Sequence, residues 1–165
     1  MRRLAPVAGL VAVALLTAAI LSASGSAQQQ GDRTITVFER DDEGSFRFVN
    51  LPPRGDRHPF RGGPVSAGDE LLFHQPLRNR AGRRVGALDA VCTAARGARN
   101  FNRAQFVCHG VYAFDRGTLS AEARFDADDE SIAVTGGTGV YEGAAGSVTS
   151  DERRGRTVNF IHLLG

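Results

Sequence analysis

The chain has 165 residues, of which 42% are apolar and 23% are charged. This composition is typical of one globular domain and excludes a disordered chain. Every basic residue is an arginine, and without the two arginines of the N-terminal leader their number equals that of the 18 acidic residues. Because a nucleic-acid-binding protein needs a basic excess, the sequence predicts no nucleic-acid partner.

The N-terminus has the pattern of an export signal. Two arginines follow Met1, an apolar run spans 4–21, and small residues lead to a cleavage site after Ala27. An uncleaved membrane anchor is the alternative, since the run approaches the roughly 20 residues of a membrane-spanning helix. A proline and a glycine inside the run favour cleavage. We therefore expect a secreted, extracellular protein with no stable membrane span after cleavage, divided into a signal peptide (1–27), a disordered start (28–33) and a folded domain (34–165).

Alternating apolar and polar residues predict strands along most of the mature chain. The clearest alternation lies in Thr118–Phe125. The predicted fold class is all-β, an eight-stranded antiparallel barrel, since closure removes exposed sheet edges. A β-sandwich is the alternative, because periodicity does not distinguish the two. The eight predicted strands are Thr34–Glu39, Leu71–Gln75, Val85–Ala94, Ala104–Phe114, Thr118–Phe125, Ser131–Thr135, Ser147–Ser150 and Thr157–Leu163.

Two segments read as loops. The stretch from Asn50 to Ala67 contains four prolines and three glycines, which predicts a functional or mobile connection. The acidic segment from Asp126 to Glu130 lacks the glycine and the regular spacing of a calcium loop, so it predicts a solvated turn. Two cysteines and four scattered histidines have no ligand spacing, and we expect no metal site.

Cys92 and Cys108 are the only cysteines of the chain. An antiparallel hairpin centred on the loop around Asn100 places one opposite the other, and export leads to an oxidising compartment. We therefore expect a disulfide. Closing a loop of about 15 residues is worth ~3 kcal/mol in the chain-entropy model. The alternative is a pair of buried free thiols.

The segment from Ile132 to Val148 is rich in glycine and contains Gly-Gly-Thr-Gly before Tyr141. A phosphate cradle needs a following helix and usually a lysine, whereas here a strand follows and lysine is absent. The pattern instead predicts a tight crossover in which glycines adopt positive φ and Tyr141 packs as an anchor.

This glycine-rich segment resembles the signature of the allene oxide cyclase and dirigent protein superfamily, whose members are eight-stranded barrels. The resemblance extends from Thr34 to the C-terminus, apart from the proline-rich insertion. Further motifs carry it: Val37-Phe38-Glu39, Asp41, Gly44-Ser45, the run from Gly68 to Phe73, Leu77, Gly86, Cys92 and Gly110-Val111-Tyr112.

The resemblance implies that Glu39 is catalytic, because a glutamate at the matching place is implicated in the plant cyclase reaction. Glu39 also shares a strand face with Ile35 and Val37, so a barrel interior on that face would bury the carboxyl and raise its pKa. The alternative is a strand-end carboxylate that faces water or pairs with an arginine. The resemblance further implies Asp41, Phe73 and Gln75 as ligand-binding residues, although Phe73 is equally suited to core packing.

The water-binding set of the cyclases is only partly reproduced. Asp41 stands in place of an asparagine, Phe46 replaces a proline after Ser45, and Gln75 stands near a second asparagine position. We expect a barrel without a cofactor that binds a small hydrophobic molecule, lipid-like or aromatic, and acts as a cyclase-like isomerase or a stereochemical guide. The alternative is a non-enzymatic secreted binding or interaction module with a filled interior. Members of the superfamily form trimers, so the resemblance implies a homotrimer.

Overall fold

The computed structural model describes residues 32–50, 63–125 and 130–165. The signal peptide and most of the predicted disordered start, most of the proline-rich connection (51–62) and most of the acidic turn (126–129) lie outside the described residues. The described residues form nine strand segments: β1 (Arg33–Arg40), β2 (Ser45–Val49), β3 (Glu70–Arg78), β4 (Arg84–Arg96), β5 (Gln105–Phe114), β6 (Gly117–Phe125), β7 (Glu130–Gly137), β8 (Gly146–Arg153) and β9 (Arg156–Leu163).

The sheet closes on itself as a barrel. From β2 to β9 each strand pairs antiparallel with the next one along the chain. β1 then pairs with β9 along its whole length and with β3 where Phe38 faces Arg78. This closure confirms the predicted barrel and rules out the sandwich alternative, which needs two separate layers.

β1 and β2 are two halves of one interrupted strand. Both run antiparallel to β3, and β2 meets β3 where Ser45 faces His74. Six residues separate Phe38 from Ser45, but only three separate their partners Arg78 and His74 on β3. Residues 41–44 therefore have no partners on β3. Counted in this way, the barrel has eight strands, as the sequence predicts. We call residues 41–44 the strand break.

The interior of the barrel holds two layers of apolar side chains. One layer includes Val37, Leu77, Tyr112 and Ile161. The other is built around Phe106, which is 0% exposed, and the pair Cys92–Cys108. These cysteines face each other across β4 and β5 and form a disulfide with a Cα–Cα distance of 3.9 Å, which confirms the predicted pairing. A buried disulfide indicates an oxidising environment.

Helical structure is limited, in the described ranges, to two single 3-10 turns, Phe101–Arg103 and Gly139–Tyr141, and none of it is long and apolar enough to cross a membrane. The second turn belongs to the glycine-rich segment. Gly139 has a φ of +62°, and a Cβ there would lie 2.4 Å from the carbonyl oxygen of Arg116. The Tyr141 ring packs on Phe114 with centroids 5.6 Å apart. The predicted crossover with a tyrosine anchor is therefore present.

Candidate functional site

The side chain of Glu39 lies on the inner face of β1. It alternates with the outward-facing Phe38 and shares the inner face with Val37, which is 1% exposed. The side-chain amide of Asn159 on β9 donates a hydrogen bond to Glu39 Oε1. No arginine in the described part of the chain forms an ion pair with this carboxyl. The acid is therefore held by a neutral donor on the neighbouring strand.

Asn159 connects Glu39 to a third polar side chain. It is 4% exposed, and its Oδ1 accepts a hydrogen bond of 2.7 Å from Ser150 Oγ. Ser150 lies directly opposite Asn159 on β8. The three residues form a chain of hydrogen bonds across β8, β9 and β1, which we call the polar chain. Asn159 is the buried member of the chain and therefore needs partners, which Glu39 and Ser150 supply on its two sides.

The surroundings of Glu39 disfavour its charged form. Burial is the largest influence and raises the pKa of the Glu39 carboxyl above 4.5. The hydrogen bond from Asn159 opposes this rise in pKa, and the negative charge of Asp41 adds to it. Because the net effect is a raised pKa, the carboxyl keeps its proton at a higher pH than an exposed glutamate. In that form it can donate a proton, and in its ionised form it can accept one.

Gln75 fills the strand break. It is 4% exposed and donates a hydrogen bond of 2.8 Å from Nε2 to the backbone carbonyl of Arg40. Gly44 lies against it, since a Cβ there would come within 1.9 Å of Gln75 Oε1. The Gln75 amide thus takes the place of the ladder bonds that β1 and β3 lose at the break. Asp41 lies in the same break and is exposed.

Phe73 lies apart from the polar chain. Its ring stacks on Phe46, with centroids 5.8 Å apart, and it lines a small pocket of about 60 Å³ together with Tyr112 and Ile132. A water molecule has a liquid volume of ~30 Å³, so this pocket is too small for a lipid or an aromatic metabolite. Phe46 faces the same way as Phe73 in the register, yet it is 62% exposed. The structure therefore brings Glu39, Asp41 and Gln75 together and places Phe73 elsewhere.

A larger recess lies on the outer wall of the barrel, across β1 and β9 and beside the turn between β3 and β4. Its volume is about 880 Å³, and Glu39 is among its lining residues. The floor is formed by Phe38, Val158 and Phe160. Five arginines line the recess as well: Arg40, Arg78, Arg80, Arg153 and Arg156. We call this recess the outer groove, and its volume lies within the ~300–1,000 Å³ typical of small-molecule sites.

Sequence reasoning missed Asn159, although a signal was available. Ile161 and Leu163 occupy the inner face of β9, and Asn159 continues that face at the next alternate position. A lone amide among inward apolar residues indicates a buried hydrogen-bond partner. His74, His109 and His162 lie in strands, and all three are on the outer face. His74 Nδ1 is 2.6 Å from Asp89 Oδ1 and His109 Nδ1 is 3.7 Å from Glu122 Oε1.

Comparisons with known proteins show the fold. No protein-family model matches the chain, and no curated protein is similar to it. Pyocyanin demethylase superposes with a TM-score of 0.56 at 19% identity, covering 79% of this chain and 99% of that chain. The Diels Alderase AbmU from Streptomyces koyangensis superposes with a TM-score of 0.51 at 10% identity, covering 86% and 72%. Neither is named as an allene oxide cyclase or a dirigent protein, so membership of that superfamily stays a prediction.

Proposed function

We propose that the protein is a secreted β-barrel of the allene oxide cyclase and dirigent type, which binds a small hydrophobic metabolite and guides its cyclisation or isomerisation. The observation that carries the proposal is the position of Glu39. Its carboxyl belongs to the hydrogen-bonded polar chain, and Glu39 is also among the residues that line the recess of about 880 Å³. A ligand-sized recess with one perturbed acid in its wall is a common form of active site.

An isomerisation suits these groups because it adds and removes no atoms. The protonated Glu39 donates its proton to the substrate, and the carboxylate recovers a proton from the rearranged product. No co-reactant is needed. Asn159 holds the acid in place through both forms, because its amide donates to the carboxyl oxygen whether or not the acid is ionised. Positioning of a bound substrate supplies much of the rate in such reactions.

The two named structural neighbours support small-molecule chemistry on this type of barrel. One is a demethylase of pyocyanin by name, and the other is a Diels Alderase. A Diels–Alder reaction closes a ring without a leaving group, as the proposed cyclisation does. Because one fold hosts many functions, these names support the class of reaction and leave the substrate of this protein open.

One observation favours a second function. The pocket beside Phe73 measures only about 60 Å³, and two layers of apolar side chains occupy the interior in the described part of the chain. A barrel filled by its own side chains suits a non-enzymatic secreted binding or interaction module. In that case the polar chain serves the specificity of folding and takes no part in chemistry.

Native mass spectrometry of the protein purified from its own host tests the proposal. We expect a retained small molecule whose mass is lost on denaturation. When the purified protein is incubated with that molecule or its precursor, the wild type should convert it and Glu39→Gln should bind it without conversion. An unoccupied protein that shows no mass shift with added fatty acids or phenols would favour the interaction module.

A further inference from the structure

We propose that the outer groove binds a small amphiphilic carboxylate, with the apolar body on the floor of the groove and the carboxylate between Arg156 and Arg80. This inference rests on the proposed function for the existence of a small ligand. It adds the charge of that ligand and the surface that recognises it.

Three arginines lie side by side at the end of the sheet. Arg156 on β9 faces Arg40 on β1 and also faces Arg153 on β8. Like charges directly opposite on neighbouring strands destabilise a sheet. The sequence therefore accepts a repulsive arrangement at this place, and a bound anion would relieve it.

The two arginines that flank Arg156 have acidic partners. Arg40 Nε is 3.2 Å from Asp42 Oδ1, and an Arg153 terminal nitrogen is 2.5 Å from Asp151 Oδ2. Arg156, between them, forms no ion pair with any carboxylate of the described residues. Its guanidinium lies over the Phe38 ring, 6.0 Å from the centroid. Of these three arginines, Arg156 is therefore the one that can pair with the charge of a bound anion.

Arg80 provides a second guanidinium without an acidic partner in the described part of the chain. It belongs to the turn between β3 and β4 and lines the same groove. The neighbouring Arg78 is already engaged by Glu43, through two hydrogen bonds of 2.7 and 2.8 Å. A planar guanidinium matches the two oxygens of a carboxylate, so Arg156 and Arg80 are suited to an organic acid.

The floor of the groove is apolar, although it lies on the outer face of the barrel. Phe38 faces Val158 across β1 and β9, and Phe160 faces Thr36 in the next pair on the same face. Val158 is 3% exposed even though it points outward. An outward strand position is normally solvated and polar. An apolar floor beside unpaired guanidinium groups fits an amphiphile with one charged end.

Binding of dodecanoate and of dodecan-1-ol, which differ in charge on the same chain, tests the inference. Each is titrated below its aggregation concentration into the purified full-length protein, and backbone amide shifts are followed by NMR. We expect dodecanoate to shift the signals of Phe38, Val158 and Phe160 and to bind at least about tenfold more tightly than the alcohol. Arg156→Gln and Arg80→Gln should each weaken dodecanoate binding severalfold, and binding of the alcohol should not change.

Arg99→Gln is the matched control, because Arg99 is an exposed arginine outside the groove. Thermal unfolding checks the fold of each variant, and Arg156→Lys keeps the charge if Arg156→Gln is unstable. Equal binding of acid and alcohol, or shifts confined to the interior residues around Phe73, would overturn the inference and leave the proposed small-molecule function standing. If neither compound binds, the inference is wrong, and native mass spectrometry still decides the proposed function separately.

Discussion

Asn159 on β9 donates its side-chain amide to the carboxyl of Glu39 on β1, and these residues lie 120 positions apart in the chain. Their strands meet only because the barrel closes between its first and last segments. The hydrogen bond between Asn159 and Glu39 therefore depends on closure of the barrel. A protein in which β1 and β9 separate loses the Asn159 partner of Glu39 and the burial that raises its pKa.

Replacing Glu39 by glutamine should change how stability depends on pH. In the folded protein burial raises the pKa of Glu39 above 4.5. As the pH rises from 4.5 towards the folded-state pKa, the unfolded chain releases this proton while the folded one retains it, so stability falls through that window. Glu39→Gln lacks this titration. Its free energy of unfolding relative to the wild type should increase from about pH 4 to about pH 8, as measured by urea denaturation.

Glu43→Gln is the control of opposite sign. The hydrogen bond from Arg78 lowers the pKa of Glu43, so its contribution to stability is present above 4.5 and is lost as the pH falls. The loss in unfolding free energy that Glu43→Gln causes should therefore become smaller as the pH falls. If both variants show the same pH dependence, the burial argument for Glu39 is wrong.

Removing Asn159 should destabilise the protein at neutral pH. Asn159→Ala leaves the partly buried carboxyl of Glu39 without its hydrogen-bond donor, and such a loss costs about 1–3 kcal/mol. The exposed Asn102→Ala serves for comparison, and we expect it to change the unfolding free energy by less than ~0.5 kcal/mol. Chemical denaturation of both variants decides the matter, and equal stabilities would show that the polar chain contributes nothing to folding.

The strands were predictable from sequence because one face of each is buried. Alternation marks that face, and all eight predicted runs lie within β1 and β3–β9, apart from the first residue of Ala104–Phe114. Sequence reasoning missed β2. Its inward Phe46 is 62% exposed, and the acidic residues before it resemble an ordinary turn. β1 and β2 can be recognised as one interrupted strand only from their pairing with β3. The alternation of residues within a short segment does not show that pairing.

The candidate site was predictable in part. The shared face of Val37 and Glu39 pointed to a buried acid, and the structure places Glu39 on that face. Its partner Asn159 is fixed by barrel closure, which single-strand periodicity does not give. Gln75 bonds the Arg40 carbonyl at the strand break, and its role in ligand binding stays a prediction. The outer groove was not expected, since its apolar floor is on the face that alternation assigns to solvent.

Removing the disulfide should lower stability substantially. Cys92 and Cys108 are 1% and 6% exposed and belong to the apolar layer around Phe106. The Cys92→Ala/Cys108→Ala variant should lose about 3 kcal/mol, because the unfolded chain regains the freedom of a loop of about 15 residues. The urea midpoint measures the loss. The reduced wild type should unfold at nearly the same midpoint as the variant, and an unchanged midpoint in both would contradict a stabilising role.

Gly44→Ala should disturb the strand break through Gln75. A Cβ at Gly44 would come within 1.9 Å of Gln75 Oε1, so the buried amide must move and weaken its bond to the Arg40 carbonyl. We expect a cost of about 1–2 kcal/mol in the wild-type background. In a Gln75→Ala background the clash is absent and most of this cost should disappear, which a double-mutant cycle by urea denaturation measures. Gly136→Ala is the control, since its Cβ meets no atom within 4 Å and its φ is not positive. Additive costs for Gly44→Ala and Gln75→Ala would show that Gly44 is required for the backbone of the break and not for the packing of Gln75.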